Sequence, residues 1–159
     1  MKITLLTVGK IKEDYYRAAC AEYVKRLSKY ARLEIVEVAD EKTPDGASSA
    51  IEEQIKDREA DRLLAKWDEN AHTFVLAIEG KQTDSEGFSK KLSELGVYGT
   101  SHIQFVIGGS LGLSDKIIKK ADNLLSFSKM TFPHQLMRVV LLEQIYRAYR
   151  IMKNEPYHK

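Results

Sequence analysis

Runs of apolar residues that suit strands alternate along this chain with stretches whose apolar positions recur at helical spacing. Ile3 to Val8 is nearly continuous in apolar character and reads as a first strand. From about Lys12 to Tyr30, the residues Tyr16, Ala19, Cys20, Tyr23, Val24 and Leu27 fall on one stripe of a helix. Leu33 to Val38 alternates in part, the pattern of a half-exposed strand near a sheet edge. Thr43-Pro44-Asp45-Gly46 predicts a turn, and Ser49 with Glu52 predicts a capping box that opens a helix to about Trp67. Thr73 to Ile78 is an unbroken apolar strand, after which Glu79-Gly80-Lys81 predicts a turn. A helix carrying Phe88, Leu92 and Leu95 ends at Gly96. His102 to Ile107 predicts another strand, running into Gly108-Gly109-Ser110-Leu111-Gly112. Ser114 and Asp115 open a short helix that holds Ile117, Ile118 and Ala121. Leu124 to Phe132 predicts a last extended segment, stopped by Pro133. A final helix runs from about Gln135 to Lys153 and leaves a short tail, Asn154 to Lys159.

Central strands without alternation need cover on both faces, which predicts an α/β fold with a mostly parallel sheet between helix layers. No repeat, low-complexity segment or linker interrupts residues 1–159, so one domain is expected. The final helix has an apolar face of Met137, Leu141, Ile145, Ala148 and Met152. Leu136, Val139, Val140, Tyr146 and Tyr149 widen it. Such a girdle needs more than one covering surface: either the helix is central within one monomer or a second copy of the chain covers it, and the second copy is expected because the helix is terminal.

Hydrophobic residues make up 43% and charged residues 30%, an ordinary balance for a globular protein. The first apolar run is too short for a secretory leader, and none approaches a membrane span, so the cytoplasm and no membrane partner are expected. Cys20 is the one cysteine and reads as a small core residue. A net charge of +2 is low for a protein that grips nucleic acid through phosphates alone. Residues 135–159 nevertheless carry five Lys or Arg against two Glu, which is compatible with RNA. A solvated helix face accounts for such a cluster equally well.

Several chemistries fall away. The histidines at 72, 102, 134 and 158 have no partner at metal-ligand spacing, so no metal is expected. Neither a G-x-S-x-G elbow nor a phosphate loop of the G-x-x-x-x-G-K-[ST] kind occurs. Gly108-Gly109-x-x-Gly112 follows a late strand with the wrong spacing for a dinucleotide fingerprint. It reads either as a tight strand-to-helix turn or as a ligand loop. The end of the strand at Leu76 to Ile78, the Gly108 loop and Phe127 to Phe132 all fall at or beyond strand carboxyl ends, where open parallel sheets bind ligands. Ser126 to His134 mixes hydroxyls, lysine and aromatics, as a pocket wall or an exposed edge strand would.

Three strings carry a resemblance that covers the chain from Met1 to Lys159. They are Ile107-Gly108-Gly109-x-x-Gly112-Leu113-Ser114, Leu125-Ser126-x-Ser128-Lys129-Met130-Thr131-Phe132-Pro133-His134-Gln135-Leu136-x-Arg138, and Leu142-Glu143-Gln144-Ile145-Tyr146-Arg147-Ala148, closed by Pro156-Tyr157-His158-Lys159. The chain resembles the large-subunit ribosomal RNA pseudouridine N3-methyltransferases, the minimal members of the SPOUT class, or alpha/beta-knot methyltransferases. The resemblance implies a C-terminal trefoil knot, which is exceptional among folds. It also implies a homodimer that binds S-adenosylmethionine and releases S-adenosylhomocysteine. The implied substrate is a pseudouridine of 23S ribosomal RNA, methylated at N3 on the assembled ribosome. By the same resemblance Leu76 lines the adenosine pocket, the Gly108 backbone approaches the cofactor, and Phe127, Ser128, Lys129, Met130, Thr131 and Phe132 wrap it. Tyr157 and His158 then reach from one subunit into the other's pocket as catalytic residues. His158 is the candidate base and Tyr157 a stacking platform. Arg138 is a third catalytic candidate, reading either as a contact to phosphate or base carbonyl or as half of a buried ion pair. The rival readings are a knotted methyltransferase of transfer RNA and a non-catalytic ribosome-binding module.

Overall fold

The computed structural model describes residues 1–159. In chain order the elements are β1 (Lys2–Val8), α1 (Asp14–Leu27), β2 (Arg32–Val38), α2 (Ser49–Leu64), β3 (His72–Gln82), α3 (Ser85–Val97), β4 (His102–Ile107), α4 (Asp115–Lys120), β5 (Asn123–Ser126) and α5 (His134–Met152). The strands form one sheet in the order β2-β1-β4-β3-β5, and every neighbouring pair is parallel. β2 is the edge strand that its partial alternation predicts.

The apolar runs resolve into two faces because successive side chains of a strand point to opposite sides. Ile3, Leu5, Phe74, Ile103, Phe105 and Ile107 pack with α1, α3 and α5. Leu6, Val8, Val75 and Val106 pack with α2 and α4 on the other face. Phe105 is fully buried and stacks on Phe74 with ring centroids 5.2 Å apart, while Phe88 of α3 lies 6.1 Å from it.

α5 lies between α1 and α3 and packs on both. Leu141, Leu142, Ile145, Tyr146 and Ala148 are buried there. Much of the wide apolar girdle is therefore covered within the chain itself, the alternative that ranks second in the sequence reading. Leu136, Val139, Val140 and Met152 remain half-buried.

Three boundaries differ from the sequence reading. Ser48, not Ser49, caps α2, accepting the Ile51 N–H at 3.3 Å, because Ser48 has the extended backbone that a cap requires. β3 does not turn at Glu79-Gly80-Lys81: Leu76 and Lys81 both pair with Leu125, so the residues between them bulge out of an otherwise continuing strand. Gly80 lies so close to β5 that a Cβ would sit 2.7 Å from the Leu124 carbonyl carbon. β5 is also shorter than the extended segment predicted to Phe132. Its last partner is Gln82, the end of β3, so the chain leaves the sheet after Ser126. It turns instead on local bonds: Ser126 Oγ donates to the Ser128 carbonyl at 3.1 Å, and the Met130 N–H donates to Ser128 Oγ at 3.0 Å.

Phe105→Ala is expected to cost about 3–5 kcal/mol of folding stability, because it opens a cavity among packed rings. Urea denaturation monitored by circular dichroism measures this, and a loss below about 1 kcal/mol would show that the rings do not hold this core together.

Candidate active site

Beyond the carboxyl ends of β3, β4 and β5 lies a cleft of about 670 Å³, within the range of small-molecule sites. Three segments build it: Leu76 to Glu79 of the β3 bulge, Ile107 to Leu113 after β4, and Leu125 to His134 after β5, without Lys129. The glycine loop and the Phe127–Phe132 stretch, far apart in sequence, therefore face one space. Leu76, Gly108, Phe127, Ser128, Met130, Thr131 and Phe132 all line it. Lys129 is exposed and stands outside the lining, because the turn bonded through Ser128 leaves it on the solvent side.

The glycines of the loop are held by their own surroundings. A Cβ on Gly108 would lie 2.8 Å from Leu113 Cγ and 3.0 Å from the Gly112 carbonyl oxygen. On Gly109 it would lie 3.0 Å from Glu59 Oε1. Gly112 has φ of 86°, a left-handed backbone that glycine adopts without strain. The tight-turn reading thus has a direct physical cause, and the turn so formed is at the same time a wall of the cleft.

Two titratable groups stand in the lining: Glu79, which sequence reasoning missed, and His134, which it placed in a possible pocket wall without a role. They are its only ones, and no lysine or arginine is among the lining residues. Burial pushes the His134 imidazole below its ordinary pKa, with the Arg138 charge adding to the effect and Asp40 opposing it. Glu59 stands outside the lining, buried beneath Gly109, where it accepts the Glu41 N–H at 3.0 Å. Burial raises its pKa. Only its position on the inner face of α2 hinted at this.

Arg138 is 1% exposed. Its Nη1 donates to Glu37 Oε2 at 2.7 Å, and its Nη2 donates to the carbonyls of Val8 at 3.1 Å and Gly9 at 2.6 Å. Of its two sequence readings, the buried ion pair is the one formed; Arg138 is not part of the cleft lining. Tyr157 and His158 lie elsewhere. The Tyr157 hydroxyl donates to Glu143 Oε1 at 3.0 Å, and Arg147 sits 4.6 Å over its ring. His158 is exposed, with Nδ1 3.3 Å from Arg147 Nη1. Neither residue lines the cleft of its own chain. Burial, and then the bond to Glu143, push the Tyr157 hydroxyl up to about 12. That hydroxyl stays protonated and donating at neutral pH.

The family model described as predicted SPOUT methyltransferase matches residues 1–158. The chain belongs to the SPOUT methyltransferase family. SPOUT relatives match it from end to end. It is 64% identical over 159 residues, all of both chains, to the ribosomal RNA large subunit methyltransferase H of Bifidobacterium adolescentis. To the protein of that name from Enterococcus faecalis it is 55% identical, again over the whole of both chains. Among solved structures it is similar to a tRNA (m1G37) methyltransferase from Aquifex aeolicus. The TM-score is 0.54 at 12% identity, covering 92% of this chain and 70% of that one. A putative methyltransferase from Legionella pneumophila, solved with the cofactor SAM bound, gives 0.51 at 13% identity, with 94% and 66% covered. At those identities the two structures bear on the fold alone. In this SPOUT chain no three His, Cys, Asp or Glu side chains are grouped to hold a metal ion, and no helix is long and apolar enough to cross a membrane.

A histidine whose folded pKa lies below its unfolded value of about 6.5 contributes stability that is present above that value and lost as pH falls below it. His134→Gln is therefore expected to flatten the fall in urea midpoint between pH 7.5 and pH 5.5 relative to the parent chain. Identical slopes for the two proteins would place His134 in water rather than against the cleft wall.

Proposed function

We propose that this chain is a single-domain, homodimeric, cytoplasmic enzyme that moves a methyl group from S-adenosylmethionine to N3 of a pseudouridine in 23S ribosomal RNA on the assembled ribosome. The observation that carries the reading is the convergence of the glycine loop and the Phe127–Phe132 stretch on one cleft. The full-length relatives named ribosomal RNA large subunit methyltransferase H supply the class of substrate. The C-terminal trefoil knot expected from the resemblance belongs to the same reading.

The lining fits such a cofactor. Leu76, Ile107, Leu125 and Phe127 supply apolar surface for an adenine ring, while Ser126, Ser128 and Thr131 supply hydroxyls for its polar parts. With no lysine or arginine among the lining residues, a sulfonium cation meets no fixed positive charge there, and Glu79 is the acid within reach. When bound, S-adenosylmethionine supplies a methyl group on a sulfonium, which leaves as neutral S-adenosylhomocysteine.

The chain's own residues have two remaining tasks: to align N3 with that methyl and to accept the N3 proton. N3 lies between two carbonyls and is acidic enough for a modest base. His158, exposed at the end of the chain, is suited to take the proton, and Tyr157 to stack on or hydrogen-bond the base. Because neither reaches the cleft of its own chain, the reading requires the tail of a partner copy. Arg138 serves it indirectly, by fixing the start of α5 beneath the cleft.

Methyl transfer from radiolabelled S-adenosylmethionine tests the substrate. Label is expected in 23S RNA of intact ribosomes, at N3 of one pseudouridine, and not in protein-free ribosomal RNA or transfer RNA. Equal labelling of free RNA would remove the ribosome from the reading, and labelling of transfer RNA alone would replace it. Deleting Tyr157 to Lys159 is expected to leave the cofactor Kd unchanged by calorimetry while turnover falls by about 100-fold or more. Unaltered turnover would take the tail out of the reaction.

A further inference from the structure

Chain ends usually fray, yet the last residues here are tied down at several points. After α5 the chain turns at Asn154, the one residue other than glycine with positive φ, at 56°. The Glu155 N–H then donates to the Arg150 carbonyl at 2.9 Å. The Glu155 carboxylate accepts from the Tyr30 hydroxyl, lies 2.5 Å from Arg150 Nη1 and lies 3.9 Å from Lys29 Nζ. Arg150 Nη2 reaches past it to the Pro156 carbonyl at 3.0 Å. Tyr30 is itself fixed, stacked on Tyr149 with centroids 5.5 Å apart. One carboxylate therefore joins the turn between α1 and β2, the end of α5 and the tail.

The position of this knot of bonds matters. Glu155 stands one residue before Pro156 and two before Tyr157, so anchoring its carboxylate leaves little freedom in where the next residues go. Tyr157 then meets the edge of Tyr146 at 4.9 Å and the guanidinium of Arg147 at 4.6 Å. Charge-assisted bonds of this kind are stronger than neutral ones and hold a fixed direction. The Tyr30 bond and the neighbouring Arg150 and Lys29 charges hold the Glu155 carboxyl below the usual range, so it is ionised at neutral pH.

We propose that Glu155, clamped by Tyr30 and Arg150, is a positioning residue that sets the C-terminal hook in the shape in which Tyr157 and His158 are delivered to a partner's cleft. This rests on the proposed function above. Glu155 touches neither substrate nor cofactor; it acts by removing the freedom that the hook would otherwise lose during each encounter.

The test uses the full-length chain with Glu155→Gln, Tyr30→Phe and both together, assayed on ribosomes, with cofactor Kd, thermal midpoint and sedimentation measured in parallel. Each single variant is expected to lower kcat by about 10- to 100-fold, with the cofactor Kd within twofold and the dimer intact. The double variant is expected to be no worse than the poorer single one, since both changes open the same clamp. Amide exchange should rise in residues 154–159 and nowhere in the cleft. A kcat equal to that of the parent would overturn the proposal. So would a fall in kcat matched by lost cofactor affinity or by dissociation of the dimer, since that marks a general structural role. The tail deletion separates the two levels. If the deletion abolishes turnover and Glu155→Gln does not, the clamp alone fails. If the deletion is silent, the reading of the hook fails and the clamp with it.

Discussion

The buried guanidinium of Arg138 is the tie on which the geometry of the cleft depends. It crosses from the first turns of α5 to the carbonyls that end β1, and to a carboxylate one residue before the end of β2. A charge taken so far from water is tolerated only when its donors are occupied, and three of its five N–H groups are bonded, while the buried Nε has no partner. The bonds are made to the places where strands stop. They therefore set the height at which α5 begins, and with it Pro133, His134 and Met137 along one side of the cleft. An apolar side chain of similar length would fill the space but take the Arg138 donors away from two strand-end carbonyls.

Around that tie, the cleft is built from departures from regularity. β3 carries a bulge, β4 runs into a loop packed too tightly for any Cβ at Gly108, and β5 stops when its partner stops. Each departure turns backbone and short side chains toward the same space. The carboxyl end of the sheet so built offers apolar walls with polar groups at intervals, the composition common to small-molecule sites. The absence of fixed cations from the lining continues the same theme, since it leaves the local field to Glu79 and a histidine whose protonation burial disfavours.

Layers and sheet class were legible in the chain because burial on two faces imposes continuous apolar strands, and helices impose their own period. The alternation in β2 correctly marked an edge. What periodicity could not carry was pairing geometry. Glu79-Gly80-Lys81 has the composition of a turn, yet it sits in a strand, because only the neighbouring strand makes the glycine necessary. The apolar breadth of α5 was read as a surface awaiting another subunit, and α1 and α3 turned out to occupy much of it. The cleft residues were found largely through resemblance: hydroxyls and aromatics in a row do not by themselves say which way they face. Lys129 shows the limit of that route, since a contiguous string was carried over whole and one member of it faces out. His134 lies within the Ser126–His134 stretch but has no assigned role there, and Glu79 has the composition of a turn residue rather than of a pocket wall.

The 19 residues of α5 span about 28 Å from end to end. One end of that rod is set beside the chain's own cleft and the other holds its own hook, and no bending within a helix brings them together. On the proposed reading, a solitary molecule would be a holder of cofactor with nothing to spend it on. Two would be needed before either could react. Output would then depend on how often copies meet as well as on how many exist.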